Sequence, residues 1–156
     1  MTIGQNAVGA AFDVTTTRRE HELGTRMRGP NGDEFVYTQA DGAIAATDVV
    51  IITEAGQADA IDTTNSASAI GTAVGVANVA FADNEYGWVQ VRGATTANVG
   101  TSSAAGDKLN STGTAGRLDD DGTSGAETVL GLYPTATAAD NSAPVVLQNP
   151  FIDATL

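Results

Sequence analysis

His21 is the only imidazole in the chain, and there is no cysteine. Its neighbours are Glu20 and Glu22, in the polar stretch Thr15–Glu22. A hydrolytic triad needs a histidine held rigidly between a nucleophile and an orienting carboxylate. No G-x-S-x-G turn supplies the nucleophile. The expectation is a solvated histidine on an arm, with no catalytic residue in the chain. Asp119-Asp120-Asp121-Gly122 is the densest run of carboxylates. An EF-hand loop needs glycine at its sixth position and glutamate at its twelfth. Counted from Asp119 these positions hold Ser124 and Leu130, so that motif fails. Two readings stay open: a looser surface Ca²⁺ site drawn from Asp119, Asp121 and Glu127, or an acidic turn that keeps the surface hydrated. Gly71-Thr72-Ala73-Val74-Gly75-Val76 is glycine-rich but lacks the lysine and following helix of a phosphate loop; glycine in a strand more often marks a bend or a close backbone approach. Paired carboxylates for glycoside hydrolysis could converge from nineteen acidic residues. Glycan sites also want aromatic platforms, and one Trp, three Tyr and four Phe must serve the core as well. No cofactor and no resident metal are expected.

Positioning any side chain falls to a chain of 156 residues, 42% hydrophobic but only 5% aromatic. A compact fold of this size removes roughly 68–70% of the unfolded chain's surface from water, so a core needs no disulfide or metal. Seven basic against nineteen acidic residues give a formal charge of −12. Such a body repels nucleic acid and anionic lipid, so neither is an expected partner. No run approaches the length of a membrane span, and no secretory signal opens the chain. The basic residues are unevenly placed: Arg18, Arg19, Arg26 and Arg28 lie in the first thirty, with only Arg92, Lys108 and Arg117 after them.

Residues 1–22 lack strong periodicity and read as an extended arm ordered by a partner or not at all; a short helix around Arg18–Leu23 packed on the body is the alternative. Such an arm would be removable without unfolding the body, a single domain over residues 23–156. Leu23–Arg28 and Glu34–Gln39 flank the turn chemistry of Pro30-Asn31-Gly32 and predict a β-hairpin. Asp48–Thr53 reads as a strand buried on both faces, and residues 57–69 as a polar loop. Ile70–Phe81 and Tyr86–Arg92 predict a second hairpin across Ala82–Glu85. Short strands follow at Thr96–Val99, Lys108–Ser111, Arg117–Leu118, Thr128–Tyr133 and Pro144–Gln148. Short strands punctuated by turn residues predict an all-β fold, a small barrel or sandwich of antiparallel strands.

An order-preserving match also emerges. Asp48, Gly56, Val74-Gly75-Val76, Asp83-Asn84 and Val89-Gln90-Val91 have counterparts at near-constant spacing in Asp107, Gly116, Leu130-Gly131-Leu132, Asp140-Asn141 and Val146-Leu147-Gln148. Two similar β-units are one reading; chance in an Ala/Gly/Asp-rich chain is the other.

Tyr86-Gly87-Trp88-Val89-Gln90-Val91-Arg92 holds the single tryptophan. Strand alternation puts Tyr86, Trp88, Gln90 and Arg92 on one face and the valines on the other. The valine face is the expected core face. The Tyr/Trp/Gln/Arg face has the composition of a subunit interface, unless Trp88 caps the core instead.

The wording of several segments carries a resemblance. Leu23-Gly24-Thr25-Arg26, Asn31–Ala40, Gly42–Ala46, Asp48-Val49-Val50, Val74–Ala77, Tyr86–Gly93 and Ala105–Leu109 resemble the small head proteins of tailed bacteriophages that decorate, or cement, the assembled capsid. The likeness covers roughly residues 23–120. It implies a small β-barrel without catalysis, attached to the outer capsid surface at capsomer junctions, often as a homotrimer, and made in the host bacterial cytoplasm. The major capsid protein is the implied partner. On that reading Arg18, Arg19, Arg26 and Arg28, the basic cluster of an acidic chain, are the expected capsid contacts. A head-fibre or adhesin-type module binding host-surface glycans is the alternative; a small β-barrel hydrolase and a tail-tube or connector component stand behind it.

Overall fold

The computed structural model describes residues 6–7 and 9–154. The described residues form twelve strands: β1 Asn6–Ala7, β2 Ala10–Ala11, β3 Arg26–Arg28, β4 Glu34–Ala40, β5 Val49–Ile52, β6 Gln57–Ala60, β7 Ala73–Val76, β8 Tyr86–Ala97, β9 Leu109–Ser111, β10 Leu118–Asp119, β11 Thr128–Pro134 and β12 Ala143–Asp153. A one-turn α-helix, α1 at Thr63–Ser66, lies between β6 and β7, and a 3₁₀ turn at Pro30–Gly32 joins β3 to β4. The fold is all-β, as the strand spacing predicts. β1 and β2 pair with each other, and the other ten strands form one sheet in the order β10-β9-β11-β12-β8-β7-β5-β6-β4-β3.

That order conceals a duplication. In the first unit β4 pairs β6 in parallel, β6 pairs β5, β5 pairs β7, β7 pairs β8, and the amino-terminal half of β8 returns to β4. The hydrogen bonding closes into a ring. In the second unit the carboxy-terminal half of β8 pairs β12, β12 pairs β11, β11 pairs β9 and β9 pairs β10. A parallel bridge from Val99 to Leu118 closes this ring too. It stands where the parallel Ala40–Ala58 pair closes the first. The long strand β8 is thus the last strand of one unit and the first of the next.

The match extends to individual turns. Ala45 N–H donates to Asp48 Oδ2 at 2.9 Å, and Ala104 N–H to Asp107 Oδ2 at 2.6 Å. Phe81 N–H donates to Ile44 O and Ala138 N–H to Ser103 O, at 2.9 and 2.8 Å. Asn84 and Asn141 both sit at positive φ, 66° and 57°, a conformation asparagine tolerates better than most residues. The internal repeat is a property of the fold.

Three apolar clusters hold the units. Val36, Ile44, Val50, Ile52, Phe81, Val89 and Val91 pack together from the first ring. Leu109, Leu118, Val129, Leu132, Val145, Leu147 and Ile152 of the second unit pack with Val49, Ile51, Val74 and Val76 from β5 and β7, so the larger cluster joins the two. This is why every residue of β5 is buried. Each such side chain, fully buried, contributes about 1.5–3 kcal/mol. A polar tie crosses the same boundary: Arg117 Nε donates to Asn98 Oδ1 at 3.1 Å, and Asn98 Nδ2 to the buried Asp48 Oδ1 at 3.2 Å.

The third cluster corrects the picture of the arm. Residues 12–22 contain no helix, and the body itself orders them. Phe12 is fully buried. Its ring stacks on Phe35 at 4.1 Å and meets Trp88 edge-on at 5.2 Å. Thr16 and Tyr86 exchange backbone hydrogen bonds of 2.9 and 2.8 Å. Thr15 Oγ1 donates to Glu85 Oε2 at 2.8 Å. Removing residues 1–22 would therefore open the core. The Ala82 N–H and the Thr15 hydroxyl hold the Glu85 carboxyl below its ordinary 4.5. The contribution of this clasp is complete above that ordinary value and is lost as the pH falls through the lowered, folded-state value. Glu85→Gln is expected to abolish that part of the acid dependence, read from Trp88 emission against pH.

Two further expectations change. Residues 57–69 contain β6 and α1 rather than a loop. Asp62 caps α1 through the amides of Thr64 and Asn65, and Asn65 returns a bond to the Asp62 amide, a reciprocal box that fixes even one turn. The second hairpin is short: β7 ends at Val76 and pairs β8 only through Val76 and Gln90.

Candidate functional site

The proposed face of β8 is divided between inside and outside. Trp88 and Gln90 are 2% and 1% exposed, so neither has surface for a neighbouring subunit. Trp88 lies among Phe12, Tyr37 and His21, and its capping of a core is the reading the structure supports. The Gln90 amide accepts from Asn78 Nδ2 at 2.7 Å and donates to the carbonyls of Arg92 and Ala94 at 3.0 and 3.3 Å. Tyr86 and Arg92 are half-buried. The strand pattern could not reveal this because the arm that covers Trp88 comes from a segment without periodicity.

The four arginines of the amino-terminal region are all exposed, in two pairs. Arg18 and Arg19 follow the arm's contact with β8, and Arg19 pairs with Glu22. Arg26 and Arg28 flank Met27 on β3, whose other edge carries no strand. Met27 packs into the aromatic cluster, so alternation sends the two guanidinium groups to the opposite face. Arg28 Nε lies 3.2 Å from Glu34 Oε1, which is also 3.8 Å from Arg92 Nη1. Arg26 Nη1 donates to Asn149 Oδ1 at 2.8 Å.

Arg26 also borders a concavity of about 420 Å³ at the mouth of the first ring. Val36, Ile52 and Ala73 line it, and Ile70 and Glu54 complete it. Ile70 is 58% exposed and Phe151, whose strand position pairs with Ala73, is 42% exposed. Sequence reasoning missed this mouth. The sequence reads Ile70 as the start of the strand Ile70–Phe81, whereas that strand begins at Ala73 and leaves Ile70 outside it.

The chemical candidates do not assemble. The His21 ring meets Tyr37 edge-on at 5.0 Å and lies tilted against Trp88 at 5.2 Å, so it is half-buried rather than fully solvated. Among the described residues no group of three or more His, Cys, Asp or Glu could hold a metal ion. Asp119 and Asp120 share the Ser103 hydroxyl, at 3.4 and 2.9 Å. Burial, followed by the hydrogen bond with Asp120, pushes the Asp119 carboxyl up, and the same bond holds Asp120 down. Among the described residues no helix is long and apolar enough to cross a membrane. What the surface offers is two pairs of exposed arginines on an acidic body, one on the arm and one on the back of β3, and an apolar mouth beside Arg26. No protein-family model matches the chain, and no curated protein matches it in sequence.

Proposed function

We propose that this protein is a structural component of a virion, binding the outside of a tailed-phage capsid and reinforcing the shell by bridging capsomers. The observation that carries the proposal is the contrast between an all-β body of net charge −12 and the exposed Arg18, Arg19, Arg26 and Arg28 of its amino-terminal region. A reinforcing protein needs a stiff scaffold, a binding patch and an outer face that repels its neighbours. Acidity on the medium-facing side keeps particles apart. The resemblance to phage head-decoration proteins gives the partner, the major capsid protein. Binding only the expanded shell stabilises that shell by mass action, and many copies let modest affinities accumulate.

The test is co-sedimentation with expanded shells assembled from the major capsid protein of the same phage. Saturable binding is expected, weakened at least about tenfold by Arg18→Glu with Arg19→Glu, because opposed charges at a contact rim govern encounter and register. Failure to bind shells, together with binding to host-surface glycans, would transfer the protein to the adhesin class.

A further inference from the structure

The duplication makes the two rings comparable position by position, and at one place they differ. Ile52 and Thr53 follow Asp48 as Ser111 and Thr112 follow Asp107, and Ile70 precedes Val76 as Ala126 precedes Leu132. In the second ring this end is closed, and the first unit closes it. The α1 segment lies across it: Ser66 Oγ is 2.8 Å from Ser111 Oγ, and Thr63 N–H donates to Thr112 O at 3.0 Å. Ser66 and Ser111 are fully buried and Ala126 is 4% exposed. In the first ring the same end is the open mouth, where Ile70 stands in solvent. No unit precedes the first within the described residues to lay its β6–β7 connection there.

The complementary element is present at the other margin. In the second unit the segment equivalent to the α1 connection joins β10 to β11. It runs through Asp120, Asp121, Gly122, Thr123, Ser124 and Gly125, all of them exposed. Within one chain this turn lies far from the mouth. From β12 the route crosses Asp153 to Thr128, Thr128 to Asn110, and Asn110 to Asp119.

We infer that the mouth of the first ring receives the acidic 120–125 turn of a second copy of this chain, repeating between copies the contact that unit one makes with unit two. Three observations converge. The internal contact is already a working example of the same connection seated on the same ring end. Arg26, the one basic group of the rim beside the acidic Glu54, gives the turn's Asp120 and Asp121 an opposite charge to meet. Among the described residues three large apolar side chains are exposed; Ile70 lines the mouth and Phe151 pairs in strand register with Ala73 of its lining, and apolar surface rimmed by charge marks an interaction site. The turn's glycines, serine and threonine are small enough to enter. Such a contact is head-to-tail, using different surfaces on the two copies, and closes into a ring where the rotation permits. Arg26 then serves copies of the chain and leaves Arg18 and Arg19 to other partners. Nothing in this inference depends on a capsid.

Sedimentation equilibrium of the full chain, alone in low-salt buffer, tests it. Concentration-dependent association is expected. Arg26→Asp and Asp121→Arg should each weaken it at least about tenfold by placing like charges together, and the double variant, which restores opposite charges in every contact, should recover it. Circular dichroism confirms that each variant is folded, and Ile70→Ser provides a charge-independent check expected to weaken association as well. A chain that stays monomeric at every concentration overturns the inference. So does a double variant no better than the single ones. Shell binding that needs Arg26 and Ile70 in a strictly monomeric protein would assign the mouth to the capsid instead.

Discussion

Phe12→Ala lowers the unfolding free energy by about 3–5 kcal/mol, the range for truncating a buried phenylalanine. The residue lies in the segment whose sequence looks most dispensable. Three features set the size of the effect. Phe12 has no solvent exposure; it stacks on Phe35 and abuts Trp88; and it belongs to the same buried cluster as Phe35, Tyr37 and Trp88 of β4 and β8. Trp88 is the single tryptophan, so its emission reports the cavity directly. The variant should show a red-shifted folded-state spectrum and an earlier urea midpoint with little change in the slope of the transition. A midpoint within experimental error of the wild type would show that the arm is an ornament on an independent body.

Gly93→Ala is the second large effect, expected at about 2–4 kcal/mol within the known range for strained-backbone substitutions. Gly93 stands where β8 passes from the first ring to the second, at φ +100°. A left-handed conformation costs an L-residue roughly 1–2 kcal/mol. An added Cβ would also collide with the Asp33 carboxylate, which packs directly on the glycine. Burial there pushes the Asp33 carboxyl above its ordinary value. Gln90 spans this kink through its bonds to the carbonyls on either side. Chemical denaturation of Gly93→Ala, beside the double variant that adds Asp33→Ala, separates the two causes. The second substitution should return the steric part and leave the conformational part.

Where a residue's partners are near in sequence or its strand has a clean period, the outcome was legible. The Arg26–Glu34 hairpin followed from Pro30-Asn31-Gly32, and the burial of β5 from Val49-Val50-Ile51-Ile52. The duplication was legible because glycines and Asx turns recur at fixed places, and those residues are chosen by backbone conformation rather than by packing. Illegible were the features settled by distant segments. Trp88 stayed open between interface and core cap because its cover, Phe12, lies in an aperiodic stretch. Residues 57–69 looked like a loop because β6 gains its strand character from β4 and β5, and α1 from a four-residue capping box. The mouth could be read only after both rings were superposed in topology, since its meaning lies in what covers Ser111 and fails to cover Ile52. The arginines were legible as charge, but not their division between the arm and the back of β3.

Electron cryo-microscopy of phage shells prepared with and without this protein tests the central claim most directly. The claim predicts added density on the outer surface at capsomer junctions, fitted by the two fused rings with the flank of Arg18 and Arg19 turned toward the shell. Identical maps from the two preparations, or density confined to the tail, would contradict it.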